Sequence, residues 1–212
     1  AWPNPQAGWS ELPKLAFDDA THVAMVGDTL YFGSAVDNGI HAMDAQTGAE
    51  RWTFFTEGPV RLAPTVTDGR LYAGSDDGLV YCVDGKDGRL VWNSRPGNGT
   101  TRILGAGRMI SLWPVRTGVL VEGGVAYCGA GIFPARASSV AALDASTGKP
   151  IWKTSAIPKS EAYVALAPQG YLLATADQLY VPCGRTAPLA YGRADGAPRG
   201  SMVKTYSIVP SK

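Results

Sequence analysis

Gly39–Trp52 reads GIHAMDAQTGAERW, and the chain repeats it as Leu79–Trp92, LVYCVDGKDGRLVW, and as Ser139–Trp152, SVAALDASTGKPIW. Each copy is an alternating apolar run that ends in an aspartate (Asp44, Asp84, Asp144). A tight turn closing on glycine follows (Gly48, Gly88, Gly148), and then a tryptophan four residues later (Trp52, Trp92, Trp152). The tryptophans are 40 and 60 residues apart, so the second interval carries an insertion of about half a repeat. A period of about 40–50 residues built of short alternating runs predicts blades of a β-propeller.

Outward from that unit the same grammar continues. From Thr21 the apolar bursts HVAMV, TLYFGSAV and IHAMD are split by Gly27-Asp28 and Asn38-Gly39, and ERWTFFT follows the turn. Such dipeptides supply positive φ at little cost and mark hairpins. The next unit, RLAPTVTDGRLYAGSDDGLVYCVDGKDGRLVW, aligns LYAGSDDGLVY with LYFGSAVDNGIH. No segment of either unit has a 3.6-residue apolar period, so helix is not expected.

A Gly-rich break, RPGNGTTRILGAGRMISLW, comes next, and a third unit resumes at PVRTGVLVEGGVAYCGAG. A fourth, ALAPQGYLLATADQLYVPCGRTAPLAYGRADGAPRG, keeps the turn at Asp195-Gly196 but lacks the aspartate and tryptophan of the motif. The expected division is a Pro-rich lead-in over 1–19, blades over 20–60 and 61–97, an insertion over 98–112, blades over 113–157 and 158–199, and the start of a further strand over 200–212. About four four-stranded antiparallel blades is the low end for a closed ring, so the chain is expected to form part of a larger one.

Composition excludes several function classes. Nineteen Lys and Arg stand against 18 Asp and Glu, a net charge of +1, so no field is built to attract nucleic acid. No apolar run is long enough for a transmembrane helix, and the first residues lack the basic start and apolar core of a signal peptide. Cys82, Cys128 and Cys183 lie in separate apolar runs with no CxxC spacing, and are read as buried thiols.

The motif residues are read structurally. A blade cannot bury both faces alone, so Trp52, Trp92 and Trp152 are expected against the neighbouring blade, with Ala42, Cys82 and Ala142 leaving room for the ring. Asp44, Asp84 and Asp144 are expected to accept from their own turn amides.

AMDAQTGAERW, ALDASTGKPIW and, with changes, CVDGKDGRLVW resemble the tryptophan-docking repeat of PQQ-type quinoprotein propellers over roughly Thr21–Arg199. That superfamily includes periplasmic quinone-dependent dehydrogenases and non-catalytic relatives such as an outer-membrane assembly lipoprotein. RILGAGRMISLWPV and PQGYLLATADQLYVPCGR further resemble large secreted PQQ-like repeat proteins of environmental bacteria. The resemblance implies a periplasmic or secreted location, protein partners or further blades, and, for an enzyme, PQQ with Ca²⁺ in the central funnel. The dehydrogenases sandwich PQQ between a tryptophan and a disulfide of adjacent cysteines beside an aspartate base. This chain has no adjacent cysteines and no carboxylate that can be matched to the base.

The residues expected at a funnel ligand are Arg61, Arg102, Trp113 and Arg185, with Arg116 a further cation. Each also has a structural reading: a paired or solvated arginine, or a core tryptophan. His22 and His41 match no ligand or base spacing, and Asn98-Gly99-Thr100 is a bare glycosylation sequon. The expected function is therefore an exported binding or scaffold module without catalysis by these residues; the alternative is part of a PQQ- and Ca²⁺-dependent dehydrogenase oxidising alcohols or sugars.

Overall fold

Short apolar runs separated by glycine turns satisfy their backbone N–H and C=O groups by pairing with their neighbours antiparallel. The computed structural model describes residues 22–105, 107–132, 138–155, 167–183 and 186–201, and these contain strands and no helix. No helix among them is long and apolar enough to cross a membrane.

The first blade is β1 (Val23–Val26), β2 (Thr29–Gly33), β3 (Gly39–Asp44) and β4 (Glu50–Phe55), paired in that order. The second is β5 (Thr65–Thr67), β6 (Arg70–Gly74), β7 (Val80–Asp84) and β8 (Leu90–Ser94), again in order. The inserted segment forms a separate hairpin of β9 (Arg102–Gly105) and β10 (Arg108–Ser111), followed by the two-residue β11 (Arg116–Thr117). The third blade is β12 (Leu120–Glu122), β13 (Val125–Ala130), β14 (Ser139–Asp144) and β15 (Pro150–Ser155).

The fourth sheet departs from a plain meander. It contains β16 (Gln169–Gly170), β17 (Leu173–Ala174), β18 (Gln178–Cys183), β19 (Thr186–Gly192) and β20 (Pro198–Ser201). β11 joins it from the preceding connection, pairing parallel to β16, which is itself parallel to β18. Pro182 removes one ladder N–H, and the β18–β19 register shifts between Val181 and Cys183. At its end Cys183 still pairs antiparallel with Thr186 of β19 and parallel with Gln169 of β16.

Between blades the motif does one job three times. Ala42, Cys82 and Ala142 pair directly with Trp52, Trp92 and Trp152, and a register shift follows at each pair. The small side chain leaves the indole free to lean onto the next blade. Trp52 Nε1 donates to the Gly85 carbonyl at 3.1 Å, Trp92 Nε1 to Ala145 at 3.0 Å and Trp152 Nε1 to Arg193 at 2.8 Å. The ring covers the turn glycine of that blade: Gly88, Gly148 and Gly196 are buried and have φ of 71°, 71° and 64°. A Cβ on Gly88 or Gly148 would stand 2.5 Å from the indole Cε3. Glycine is needed there twice over, for positive φ and for the contact.

A tyrosine doubles each indole. Tyr31, Tyr72 and Tyr127 lie with ring centroids 6.0, 5.9 and 6.1 Å from Trp52, Trp92 and Trp152. The Tyr31 and Tyr72 hydroxyls donate to the same carbonyls as the indoles, Gly85 at 3.2 Å and Ala145 at 3.1 Å. In the third copy Arg193 Nε donates to the Tyr127 hydroxyl at 3.4 Å. Three apolar clusters fill the three interfaces, with Ile40, Leu71 and Val83 in the first, Val80, Cys82 and Leu143 in the second, and Val140, Leu179 and Tyr191 in the third.

The turn aspartates cap as their position suggests. Asp44 Oδ1 accepts from Thr47 N at 2.8 Å, Asp84 Oδ1 from Lys86 N at 2.8 Å, and Asp144 Oδ1 from Thr147 N at 2.8 Å. The Arg51 guanidinium, and then the Thr47 amide, hold the Asp44 carboxyl well below the usual carboxylate range. Asp144 is lowered first by the Ser146 hydroxyl.

Trp92→Ala is predicted to cost on the order of 3–5 kcal/mol, as loss of a core tryptophan does; a urea midpoint equal to wild type would refute the interface. Gly148→Ala should cost more than Gly48→Ala. Both have positive φ, worth about 1–2 kcal/mol for a Cβ, but only Gly148 also meets an indole. Equal midpoints for the two variants would contradict the packing role.

Candidate functional site

Polar groups concentrate where the connections between blades meet the β6–β7 loop, Ser75–Gly78. Asp76 is fully buried, and two arginines reach it from different connections. Arg61, four residues before β5, donates Nε and Nη2 to Asp76 Oδ2, both at 2.8 Å. Arg116, on β11, donates Nε to Oδ1 at 2.9 Å and Nη2 to Oδ2 at 2.8 Å. Side-chain exposure is 21% for Arg61 and 24% for Arg116 against 0% for Asp76, so the charges meet largely out of water. Under such conditions an ion pair holds only when its geometry and hydrogen bonding are complete.

The backbone of the loop is tied as firmly. Asp76 N donates to Pro59 O at 2.9 Å, Ser111 N to Asp76 O at 2.7 Å and Val115 N to Ser75 O at 3.0 Å. Asp77, also buried, accepts from Glu57 N at 3.0 Å, Leu79 N at 2.8 Å and the Tyr81 hydroxyl at 2.6 Å. Burial, with Asp77 beside it, pushes the Tyr81 hydroxyl well above the usual phenol range. Gly58 and Gly74 permit the approach: a Cβ on Gly58 would lie 2.5 Å from Asp77 N, and one on Gly74 would strike Val115. One loop thus holds the connection from blade 1, the β9–β10 hairpin and the connection to blade 3.

A second convergence involves Tyr171. Its hydroxyl lies 3.0 Å from His22 Nδ1, next to β1, and accepts from Ala63 N, before β5, at 3.4 Å. Gly118, before β12, lies under its ring: a Cβ there would be 2.7 Å from Tyr171 Cδ1. The approaches to the first strands of the first three blades meet on one tyrosine of the fourth. The sequence pattern singled out neither Tyr171 nor Asp76.

The described residues expected at a funnel ligand each have a partner of their own. Arg61 meets Arg116 on Asp76. Arg102 lies on β9 and pairs with Glu57, both exposed. Trp113 precedes β11 outside any strand and packs over Gly97, where a Cβ would lie 2.6 Å from its own, and against the Tyr72–Leu143 cluster. Pro114 follows it and cannot donate to a ladder. Arg185 lies outside the described residues. His41 stacks on Phe32 at 4.8 Å and lies 3.0 Å from Asp37 Oδ2. Asn98 of the sequon is exposed. Among the described residues no group of three His, Cys, Asp or Glu is placed to hold a metal ion.

The three cysteines are buried on three different blades and form no disulfide with one another. Burial pushes them up to about 11 for Cys82, about 12 for Cys128 and about 11 for Cys183.

The profile of the family described as outer membrane protein assembly factor BamB matches residues 6–129. The outer membrane protein assembly factor BamB of Yersinia pestis is 28% identical over 119 residues, covering 54% of this chain and 28% of that protein. The dehydrogenase subunit of the quinone alcohol dehydrogenase of Gluconacetobacter polyoxogenes is 30% identical over 162 residues, covering 68% of this chain and 20% of that protein. The chain therefore spans less than a third of the length of either relative. The solved quinohemoprotein alcohol dehydrogenase of Comamonas testosteroni superposes with a TM-score of 0.66 at 17% identity, over 84% of this chain and 34% of that one, a likeness of fold.

Asp76→Ala removes the carboxylate that two partly buried arginines share and is predicted to cost about 3–5 kcal/mol, whereas Asp87→Ala, which breaks the exposed Arg89 pair, should cost about 0–1 kcal/mol. Matching denaturation midpoints for the two variants would refute the hub. The thiols should resist a disulfide reagent at pH 8 until denaturant is added, because little thiolate forms below their raised values; rapid stoichiometric labelling of the native chain would refute their burial.

Proposed function

The chain belongs to the family described as outer membrane protein assembly factor BamB, and from that membership we propose that it is a non-catalytic, exported propeller module that holds protein partners. Its tryptophan-docked blades form a rigid scaffold, and the loops at the blade edges are the surface it offers. The observation that carries this reading is the state of Asp76. The buried carboxylate beside the funnel candidates is bound by both Arg61 and Arg116, so it is occupied in holding connections together. A general base needs a carboxylate within reach of a substrate proton, and Asp76 is turned inward.

PQQ with Ca²⁺ is the group the quinoprotein resemblance implies, and the residues present do not fit it. The resemblance calls for adjacent cysteines forming a disulfide, whereas Cys82, Cys128 and Cys183 lie far apart in sequence and on three different blades. Arg61 and Arg116 face Asp76, Arg102 faces Glu57, and Trp113 is packed on Gly97. Tyr171 touches the residues that precede the first strands of three blades. No chemical step is assigned to this chain.

A second reading is favoured by one observation, the 30% identity to a quinone alcohol dehydrogenase subunit over 68% of the chain. In that reading these blades are part of an alcohol- or sugar-oxidising enzyme, and the cofactor residues lie on others. A localisation in the periplasm or outside the cell suits both.

Titration of the chain with PQQ and Ca²⁺, followed by absorbance and calorimetry, separates them. The scaffold reading expects neither a heat nor a spectral change. Saturable micromolar binding with dye reduction on adding an alcohol would overturn it.

A further inference from the structure

The β9–β10 hairpin carries a strand edge with no partner. In its register Arg102 faces Ser111, Ile103 faces Ile110, Leu104 faces Met109 and Gly105 faces Arg108. One step beyond the ladder Leu112 N donates to Thr101 O at 2.8 Å, so Thr101 and Leu112 form a hydrogen-bonded pair. Bonded and unbonded pairs alternate along an antiparallel ladder. Ile103–Ile110 and Gly105–Arg108 are therefore bonded within the hairpin. The N–H and C=O groups of Arg102 and Leu104 point away from it on one edge, and those of Met109 and Ser111 on the other. Ser111 N fits that phase by donating outward, to Asp76 O at 2.7 Å. Among the described residues β9 pairs with no strand but β10, and its edge at Arg102 and Leu104 stands open.

That edge is fixed in place and faced with apolar side chains. Arg108 Nη1 donates to Ala35 O at 2.7 Å and to Asn38 Oδ1 at 3.0 Å, and its Nη2 donates to Val36 O at 3.0 Å, which fastens the tip to the β2–β3 loop. At the base Arg102 pairs with Glu57, and Ser111 is tied to the Asp76 loop. Ile110 is buried, whereas Leu104 and Met109, opposite each other in an unbonded pair, are 74% and 52% exposed. Native proteins blunt an exposed edge with proline, lysine, a bulge or a covering element. β9 has no proline, lysine or bulge, and its one charge, Arg102, is turned onto Glu57.

Open peptide groups in a row are best satisfied by another backbone, laid alongside as an added strand. We propose that the β9 edge takes an extended segment of a partner protein, which bonds the peptide groups of Arg102 and Leu104 and extends the hairpin to three strands. Side chains of the segment alternate between the two faces. On the outer face those beside Leu104 and Met109 are apolar. Charge sets the remaining requirement. Residues 95–116 contain four arginines and no lysine, aspartate or glutamate, so the segment carries an acidic residue on that same face, beside Arg102. The site rests on the scaffold reading and gives it a place and a partner of stated chemistry.

Amide exchange resolved to single residues tests it. In the free chain Arg102 and Leu104 should exchange faster than Ile103 and Ile110, whose amides are bonded across the hairpin. The probe is a capped peptide, Thr-Glu-Thr-Val-Thr-Val-Thr, which sets the glutamate and both valines on one face. It should slow exchange at Arg102 and Leu104 by about tenfold at about ten times its Kd. The same peptide N-methylated throughout keeps every side chain but has no backbone donors, and should give no protection. Leu104→Pro removes a donor from the open edge and none from the β9–β10 ladder, and should abolish the effect. Leu104→Asp, which keeps both peptide groups but sets a like charge against the acidic segment, should bind several-fold more weakly and serves should the proline disturb the hairpin. Slow exchange at Arg102 and Leu104 in the free monomer would overturn the proposal, because the chain would then cover its own edge. The same result in a dimer would mean that a second copy pairs there. No protection at millimolar peptide, or equal protection by the N-methylated one, would mean that the edge takes no strand. Each of these outcomes removes the site and leaves the scaffold reading to the PQQ titration.

Discussion

An indole laid on a glycine is the contact on which this fold depends. A four-stranded blade has two apolar faces and almost no interior, so its stability comes from its neighbours. Each tryptophan contributes about 150–250 Å² of contact, or roughly 4–6 kcal/mol at about 25 cal/mol per Å², and ends in a directed N–H bond. The apolar area gives strength and the bond fixes position. Trp52, Trp92 and Trp152 all donate to the carbonyl just after the position of the motif aspartate in the next blade, so one contact sets distance, tilt and register together.

The requirement on the receiving side is as strict. The turn must close on a residue with positive φ and must present no Cβ, because the ring occupies that space. The aspartate holds the turn that receives the ring by accepting its amides. In the fourth blade Gly192 stands at the aspartate position, and Asp195 caps instead, accepting from Ala197 N at 2.9 Å. That blade still receives Trp152 although it donates none, so receiving and donating are separable properties of a blade.

Much of this was legible in the sequence because it is local. The aspartate, glycine and tryptophan sit within nine residues, and their repetition gives the blade. The tyrosines also left a signal, since LYFG and LYAG align, but a single aromatic on a strand does not announce which carbonyl it will meet. Asp76 left none. In GSDDG it looks like an ordinary turn residue, and only the meeting of two connections, 15 and 40 residues away in sequence, makes it a buried hub. The parallel β11–β16 pairing is likewise decided by tertiary neighbours, because two residues carry no periodicity. Trp113 could be read as axial or core from its neighbours in sequence; it is partly buried and packs on Gly97, a contact its sequence neighbours do not announce.

The position of the hub follows from the insertion. Between Trp52 and Trp92 the repeat is 40 residues and the connection is short, so the docking contact alone can align the blades. Between Trp92 and Trp152 the interval is 60, and the added β9–β10 hairpin lengthens the connection. A longer loop costs little to close, since the entropy grows only logarithmically, but it no longer dictates where the next blade begins. Asp76 and its loop restore that constraint by binding Arg116 and Val115 at the end of the insertion, Ser111 within it and Arg61 before it. A carboxylate suits the task better than an apolar plug, because two guanidinium forks fix two chain segments by direction as well as by distance.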